Sequence, residues 1–226
     1  MAKNILITDA DTHIGYELLK LSIKRGDSVI ATTSQTEDLS SYQAFEGKLL
    51  ELVYWNRKSA PSTRNVLLKV QNTFNTLDIA LVLKPSITNP EPINICKFAT
   101  IEKAVDERIT GTLFLVKEIL KYYIKAKKGL LSLINMYPEK PEESNFLENT
   151  ITGSFRGLSE GLCSSFKQQD IFIHRFQTAF STDINEYADF ILKTIDSKGY
   201  KVSGKHFHFQ KKLGFFTSFS HSKRKS

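Results

Sequence analysis

The sequence predicts an α/β fold: a doubly wound parallel sheet of about seven strands in a three-layer α/β/α arrangement. Three observations carry this. The first is a complete strand–turn–helix–strand unit within about 30 residues of the start. The second is the alternation of short apolar runs with helix-like stripes as far as Phe209. The third is size: 226 residues, 41% hydrophobic and 24% charged, suit one sizeable core and one domain, placed at 1–210 with a tail at 211–226.

The opening unit organises the rest. Asn4 to Thr8 is a short apolar run with no room for a helical period, and reads as a buried parallel strand. From Ile14 the apolar residues Ile14, Leu18, Leu19, Leu21 and Ile23 form a helical stripe, which Arg25-Gly26-Asp27 ends. Ser28 to Thr33 is the second strand. Between strand and helix, Asp9 to His13 is a turn rich in local hydrogen-bonding residues. Such a turn suits a dinucleotide, because a helix N-terminus offers unpaired N–H groups to a pyrophosphate.

Further strands are expected at Lys48 to Trp55, Leu77 to Leu83, Leu130 to Met136, Ile171 to Gln177 and within Lys201 to Phe209. Helices are expected at Ser62 to Thr73, from about Ile101 to Lys127, at Ser154 to Gln168 and at Glu186 to Ser197. Lys125, Lys127 and Lys128 suit the C-terminus of the long helix, and Gly129 is read as closing it. Pro85 to Pro92 is a proline-punctuated loop. The glycines and serines of the 154–168 segment would let a neighbouring helix or subunit come close.

The turn resembles that of the short-chain dehydrogenase/reductase (SDR) family, Thr-Gly-x-x-x-Gly-x-Gly, which falls here on Thr8, Asp9, His13 and Gly15. The resemblance covers about residues 3 to 209 in order and spacing, and implies a Rossmann-type fold. It makes Thr8, Asp9, His13, Ile14, Gly15 and Thr33 the cofactor-binding positions, with NAD or NADP as the cofactor. The absence of an acid at Thr33 and Ser34 favours NADP. Several family features are replaced. Asp9 puts a carboxylate, and His13 a ring, where glycines leave space for phosphates. The adenine-contacting Asp falls near Val53, and Trp55 beside it reads as packing rather than as a base-stacking ring. The Asn-Asn-Ala-Gly segment becomes Val82-Leu83-Lys84-Pro85, with Lys84 read as a solvated cation.

The family's catalytic residues are replaced as well. Aligned through Gly129 and Gly157-Leu158, the catalytic Ser falls on Met136, the Tyr on Glu148, the Lys on Thr152 and the helix Asn near Arg108. Tyr-x-x-x-Lys occurs at Tyr16/Lys20, Tyr54/Lys58 and Tyr123/Lys127, but nowhere after the fifth strand. The expectation is a pseudoenzyme that works in binding or assembly, as a homodimer through the helices flanking strand five, with a further protein partner left open. The alternative is an NAD(P)-dependent oxidoreductase with an atypical site, in which Tyr137 or Glu148 donates the proton and Asn135 holds the substrate oxygen.

Composition bounds the remaining classes. Five of the seven net positive charges lie in residues 211–226, so the high pI belongs to the tail rather than to a basic face. That tail is read as partly docked through Phe215 and Phe216, in preference to a nucleic-acid or membrane contact. His206 and His208 alternate with Phe207 and Phe209, so both share one face of an edge strand, with no third ligand to make a metal site. Cys96 and Cys163 are too few for a disulfide framework and are expected to be buried. No run of about 18 apolar residues is present, and a cytoplasmic location is expected.

Overall fold

Seven parallel strands form one sheet in the order β3-β2-β1-β4-β5-β6-β7. They are β1 (Asn4–Ile7), β2 (Ser28–Thr33), β3 (Leu50–Tyr54), β4 (Ile79–Leu83), β5 (Gly129–Tyr137), β6 (Ile171–Ala179) and β7 (Lys205–His208). The computed structural model describes residues 2–34, 42, 45, 49–84, 91–138, 145–166 and 170–210. Lys48, Gln168, the loop from Pro85 to Pro90 and the whole tail from Lys211 lie outside these, with the readings made for them.

Helices α1 (His13–Lys24) and α6 (Ile184–Lys198) cover one face of the sheet. Leu18, Leu19, Ile191 and Ile195 pack there on Ile5, Ile7, Leu81 and Ile134. Helices α2 (Ala60–Phe74), α4 (Gly111–Ala126) and α5 (Phe146–Ser165) cover the other. On that side Val66, Leu115, Ile119 and Phe155 pack on Leu6, Ala80, Leu131 and Leu133. Strands buried on both faces are apolar throughout, as parallel strands are. The strand order reverses between β1 and β4, so the C-terminal edge of the sheet has its crevice there.

Several elements depart from expectation. The long helix is three pieces: α3 (Phe98–Ala104), a π-helical stretch over Val105–Thr110, and α4. Lys127, at φ 55°, takes the left-handed cap of α4, and Gly129 instead begins β5. There Gly129 lies under the Tyr123 ring, where a Cβ would sit 2.1 Å from a ring carbon. Helix α5 begins eight residues early because Asn145 Oδ1 accepts the Glu148 backbone N–H at 2.8 Å, an N-cap. Its Gly153, Gly157 and Gly161 face open space. Cys96 and Cys163 are half-buried rather than buried. Among the described residues, no helix is long and apolar enough to cross a membrane.

Register places one further feature. Ile134 pairs with Leu83, the last residue of β4, so Asn135 to Tyr137 run past β4 and pair only with Gln177 to Ala179 of β6. The β5–β6 pair therefore projects beyond the sheet's centre at its C-terminal edge.

Candidate functional site

The turn after β1 is closed by its own hydrogen bonds. Asp9 has φ 52°, the left-handed region that Asp tolerates better than most residues. Its amide donates to Thr32 Oγ1 at 3.1 Å, and the Ala10 amide donates to the Thr32 carbonyl at 2.9 Å. Thr12 caps α1: its Oγ1 accepts the Gly15 amide at 3.2 Å and donates to the Asp9 carbonyl at 2.7 Å. A Cβ at Gly15 would lie 2.1 Å from that carbonyl oxygen, so only glycine lets the helix start so close to the turn. Four amides of this turn (Asp9, Ala10, Thr12 and Gly15) are thus engaged by the protein itself. Thr8 is fully buried and accepts the Leu83 amide. Ile14 is half-buried and His13 is exposed.

The Asp9 carboxylate meets a cation across the crevice. Arg57 places one guanidinium nitrogen on both carboxylate oxygens, and both side chains are more than 90% buried. The guanidinium lies 4.2 Å from the centre of the Trp55 ring, a cation–π contact. Trp55 is buried and donates from Nε1 to Thr63 Oγ1 at 3.0 Å, so it packs and holds Arg57. Gly111 completes the arrangement: a Cβ there would lie 2.6 Å from the Arg57 carbonyl oxygen. At the end of β2, Thr33 is buried, and Asp11 Oδ2 accepts the Ser34 amide at 2.9 Å. The carboxylate that β2 lacks is thus supplied by the turn. Burial and the charge of Asp11 push the nearby Tyr42 phenol up to about 12.

A second buried pair stands at the end of β4. Lys84 Nζ is bonded to Glu148 Oε1 of α5, with the lysine side chain 1% exposed, so Lys84 is not the solvated cation the sequence suggested. Burial pulls the Lys84 ammonium below the usual lysine range; Glu148 opposes this and Arg108 adds to it. Arg108 lies on the π-helical stretch, and among the described residues no carboxylate stands within ion-pair distance of it. Burial and then Arg57 lower its pKa, against Glu107, Asp9 and Glu148. The five side chains Asp9, Arg57, Arg108, Lys84 and Glu148 therefore form one charged group along the crevice.

The remaining site positions lie beyond it, on the α5 side of β5. Met136 packs into the α1/α6 layer, whereas its neighbours Asn135 and Tyr137 point towards α5. They line a cavity of about 340 Å³ with Pro138, Asn149, Thr152, Arg156 and Gln177. Asn135 is 5% exposed and its Oδ1 has no hydrogen-bond partner, nor has Thr152 Oγ1. Tyr137 Oη is 2.9 Å from His208 Nε2, and the His206 and His208 rings are stacked on the same face of β7. Burial, then Arg175 and His208, lower the His206 pKa. Among the described residues no cluster of His, Cys, Asp and Glu could hold a metal ion.

A model described as short chain dehydrogenase matches residues 3–137. The chain belongs to the short-chain dehydrogenase family. The matched stretch runs from the start of β1 to the last residue of β5, so it contains the turn, Arg57, Lys84 and Arg108. Solved structures with the same fold include a short chain dehydrogenase from Bacillus anthracis, at 14% identity and TM-score 0.79, covering 92% of this chain and 94% of that one. Another is YwfH, an NADPH dependent reductase involved in bacilysin biosynthesis, at 11% identity and TM-score 0.77, covering 92% and 98%. Within this short-chain dehydrogenase the charged residues of the crevice find partners far along the chain: Arg57 for Asp9 and Glu148 for Lys84.

Proposed function

We propose that this short-chain dehydrogenase does not carry out hydride transfer, and that it works as a binding or assembly protein on a Rossmann scaffold. The observation that carries the reading is the Asp9–Arg57 pair. A dinucleotide's pyrophosphate needs free N–H groups and space at the first turn. Here the turn holds a carboxylate, a guanidinium seated on it, and amides already bonded within the protein. The Lys84–Glu148 pair stands where the family alignment puts the catalytic Tyr, and Thr152 has no amine to supply in place of the family Lys. Asp11 at the end of β2 sets a carboxylate against the 2′-phosphate of NADP, which removes the preference for that cofactor drawn from the strand alone.

Self-association through α4 and α5 belongs to the same reading. Gly153, Gly157 and Gly161 form a stripe on α5 open to close approach, and Leu113 and Ile124 of α4 are 46% and 48% exposed. An active oxidoreductase is the second reading, supported by Tyr137 and Asn135 sharing one cavity with His208 at hydrogen-bond distance from the phenol.

Titration with NADPH and NADH, followed by nucleotide fluorescence and by thermal stability, decides between them. The expected result is no saturable response with millimolar nucleotide. A saturable shift would sink the closed-turn reading and direct the search to carbonyl substrates of Tyr137.

A further inference from the structure

Helices α2 and α4 lie side by side on one face of the sheet and leave a groove between them. Arg64, Leu67 and Leu68 of α2 stand at i, i+3 and i+4. Glu118, Lys121, Tyr122 and Lys125 of α4 stand at i, i+3, i+4 and i+7, so each helix turns one continuous stripe to the groove. The stripes enclose about 300 Å³, too little for a dinucleotide but enough for side chains of a docked segment. The groove is preformed. The Tyr122 hydroxyl accepts the Leu77 amide at 3.0 Å and donates to the Asn75 carbonyl at 3.3 Å, which ties α4 to the end of α2 and fixes the ring.

The lining combines an apolar floor with unbalanced charge. Leu68 is 52% exposed beside the buried Leu67. Arg64, Lys121 and Lys125 are all exposed. The one carboxylate of the lining, Glu118, lies 3.9 Å from Arg64 and 3.5 Å from Lys117, which stands outside the groove. Among the described residues, Lys121 and Lys125 have no carboxylate within ion-pair distance. Lys125 suits the C-terminus of α4, but Lys121 lies a turn earlier, beyond the reach of the helix dipole. Three cations against one carboxylate leave the lining at +2, the whole net excess of the chain outside its basic tail.

This charge turns away two occupants. Residues 211–226 carry five cations and no acid, so the chain's own tail is repelled. A second copy presenting the same face would set lysine against lysine. A nucleic acid would meet the cations but leave the leucine floor unfilled. Carboxylates set around an apolar side chain match both features.

We infer that this groove docks an acidic, amphipathic peptide segment of a partner protein, its carboxylates on Arg64, Lys121 and Lys125 and its apolar side chains against Leu67, Leu68 and Tyr122. The inference deepens the proposed binding role by naming a surface and the kind of partner. It rests on that reading for a role in assembly, and it uses no residue of the crevice.

The test uses the full chain, isotopically labelled, and peptides selected against it from a random-peptide display library. The selected peptides are expected to combine several Asp and Glu with at least one Leu, Ile or Phe. They should shift the amide resonances of residues 64–71 and 118–125 saturably and bind more weakly as salt is raised. The double substitution Lys121→Glu with Lys125→Glu should weaken them at least about tenfold, and Leu68→Asn should weaken them without changing the salt dependence. These side chains are exposed, so the variants keep the fold. Lys193→Glu on α6, across the sheet, should leave binding unchanged. No enrichment, selected peptides that are neutral or basic, shifts confined to other surfaces, or binding unaltered in the lysine double variant would each overturn the inference. So would displacement of the peptide by an equal concentration of a short DNA duplex, or shifts of the same resonances on dilution of the chain alone, which would mark a nucleic acid or a second copy as the occupant. The nucleotide titration is scored separately: a response to NADPH bears on the closed turn, while the peptide response reports the groove alone.

Discussion

Between β1 and β4 two buried pairs of opposite charge, Asp9 with Arg57 and Lys84 with Glu148, fill the crevice; on β5 and β6 the buried polar atoms Ser132 Oγ, Asn135 Oδ1, His174 Nδ1 and Arg175 Nε have no partner. Both regions belong to the same sheet. The first is filled by the protein's own groups. The second has room and unmet hydrogen-bonding capacity. The difference shows that a charged residue in the first turn does not leave its surroundings empty of interactions: a distant residue of the same chain meets it.

The largest effect should come from breaking the filled side. Arg57→Ala leaves the Asp9 carboxylate buried and unpaired, and should cost about 3–5 kcal/mol of stability in denaturant titration. The double substitution Asp9→Asn with Arg57→Met should recover much of that loss. If it does not, the pair's worth lies in the Trp55 stacking rather than in its charge. Next in size is Gly111→Ala, which pushes a methyl group against the Arg57 carbonyl and should cost about 1–3 kcal/mol. A smaller cost would mean that Arg57 moves freely, and the contrast between the two regions would weaken. The smallest effect is expected at Asn135→Leu, within about 1 kcal/mol of the parent, because the amide oxygen it removes is buried without a partner and contributes no hydrogen bond to folding. A loss above 2 kcal/mol in the same assay would assign that amide a structural duty and blur the comparison from the other end.

The fold was legible in the sequence because its signals are local. Asn4 to Thr8, Leu77 to Leu83 and Leu130 to Met136 are short apolar runs that announce themselves, and each became a strand within one to two residues. The site was legible only where its members are neighbours. Thr8, Asp9 and Gly15 could be placed on one turn through the resemblance to the family's turn pattern, whose members are close in sequence. Arg57 lies 48 residues from Asp9, and Glu148 lies 64 from Lys84. No periodicity links such partners, so Lys84 looked like an ordinary surface cation and Arg57 drew no notice. The one local hint to Arg57 is the Trp55-x-Arg57 spacing, with the side chains on one face. The π-helical stretch was hidden for a different reason: Val105 to Thr110 continues an apolar stripe, and the widened turn shows only in the backbone. The reading of Met136 shows how fragile a strand alignment is, since one residue of offset turns the side chain to the opposite face and gives its place to Asn135 or Tyr137.

The Asp9–Arg57 pair also bears on how this chain can change by descent. Glycine at position 9 alone strands a buried guanidinium; removing Arg57 alone strands a buried carboxylate. Either single step passes through a less stable protein, so the two positions are constrained to change together. Folding stability alone thus ties a residue of the first turn to one 48 positions further along the chain, whatever the turn binds.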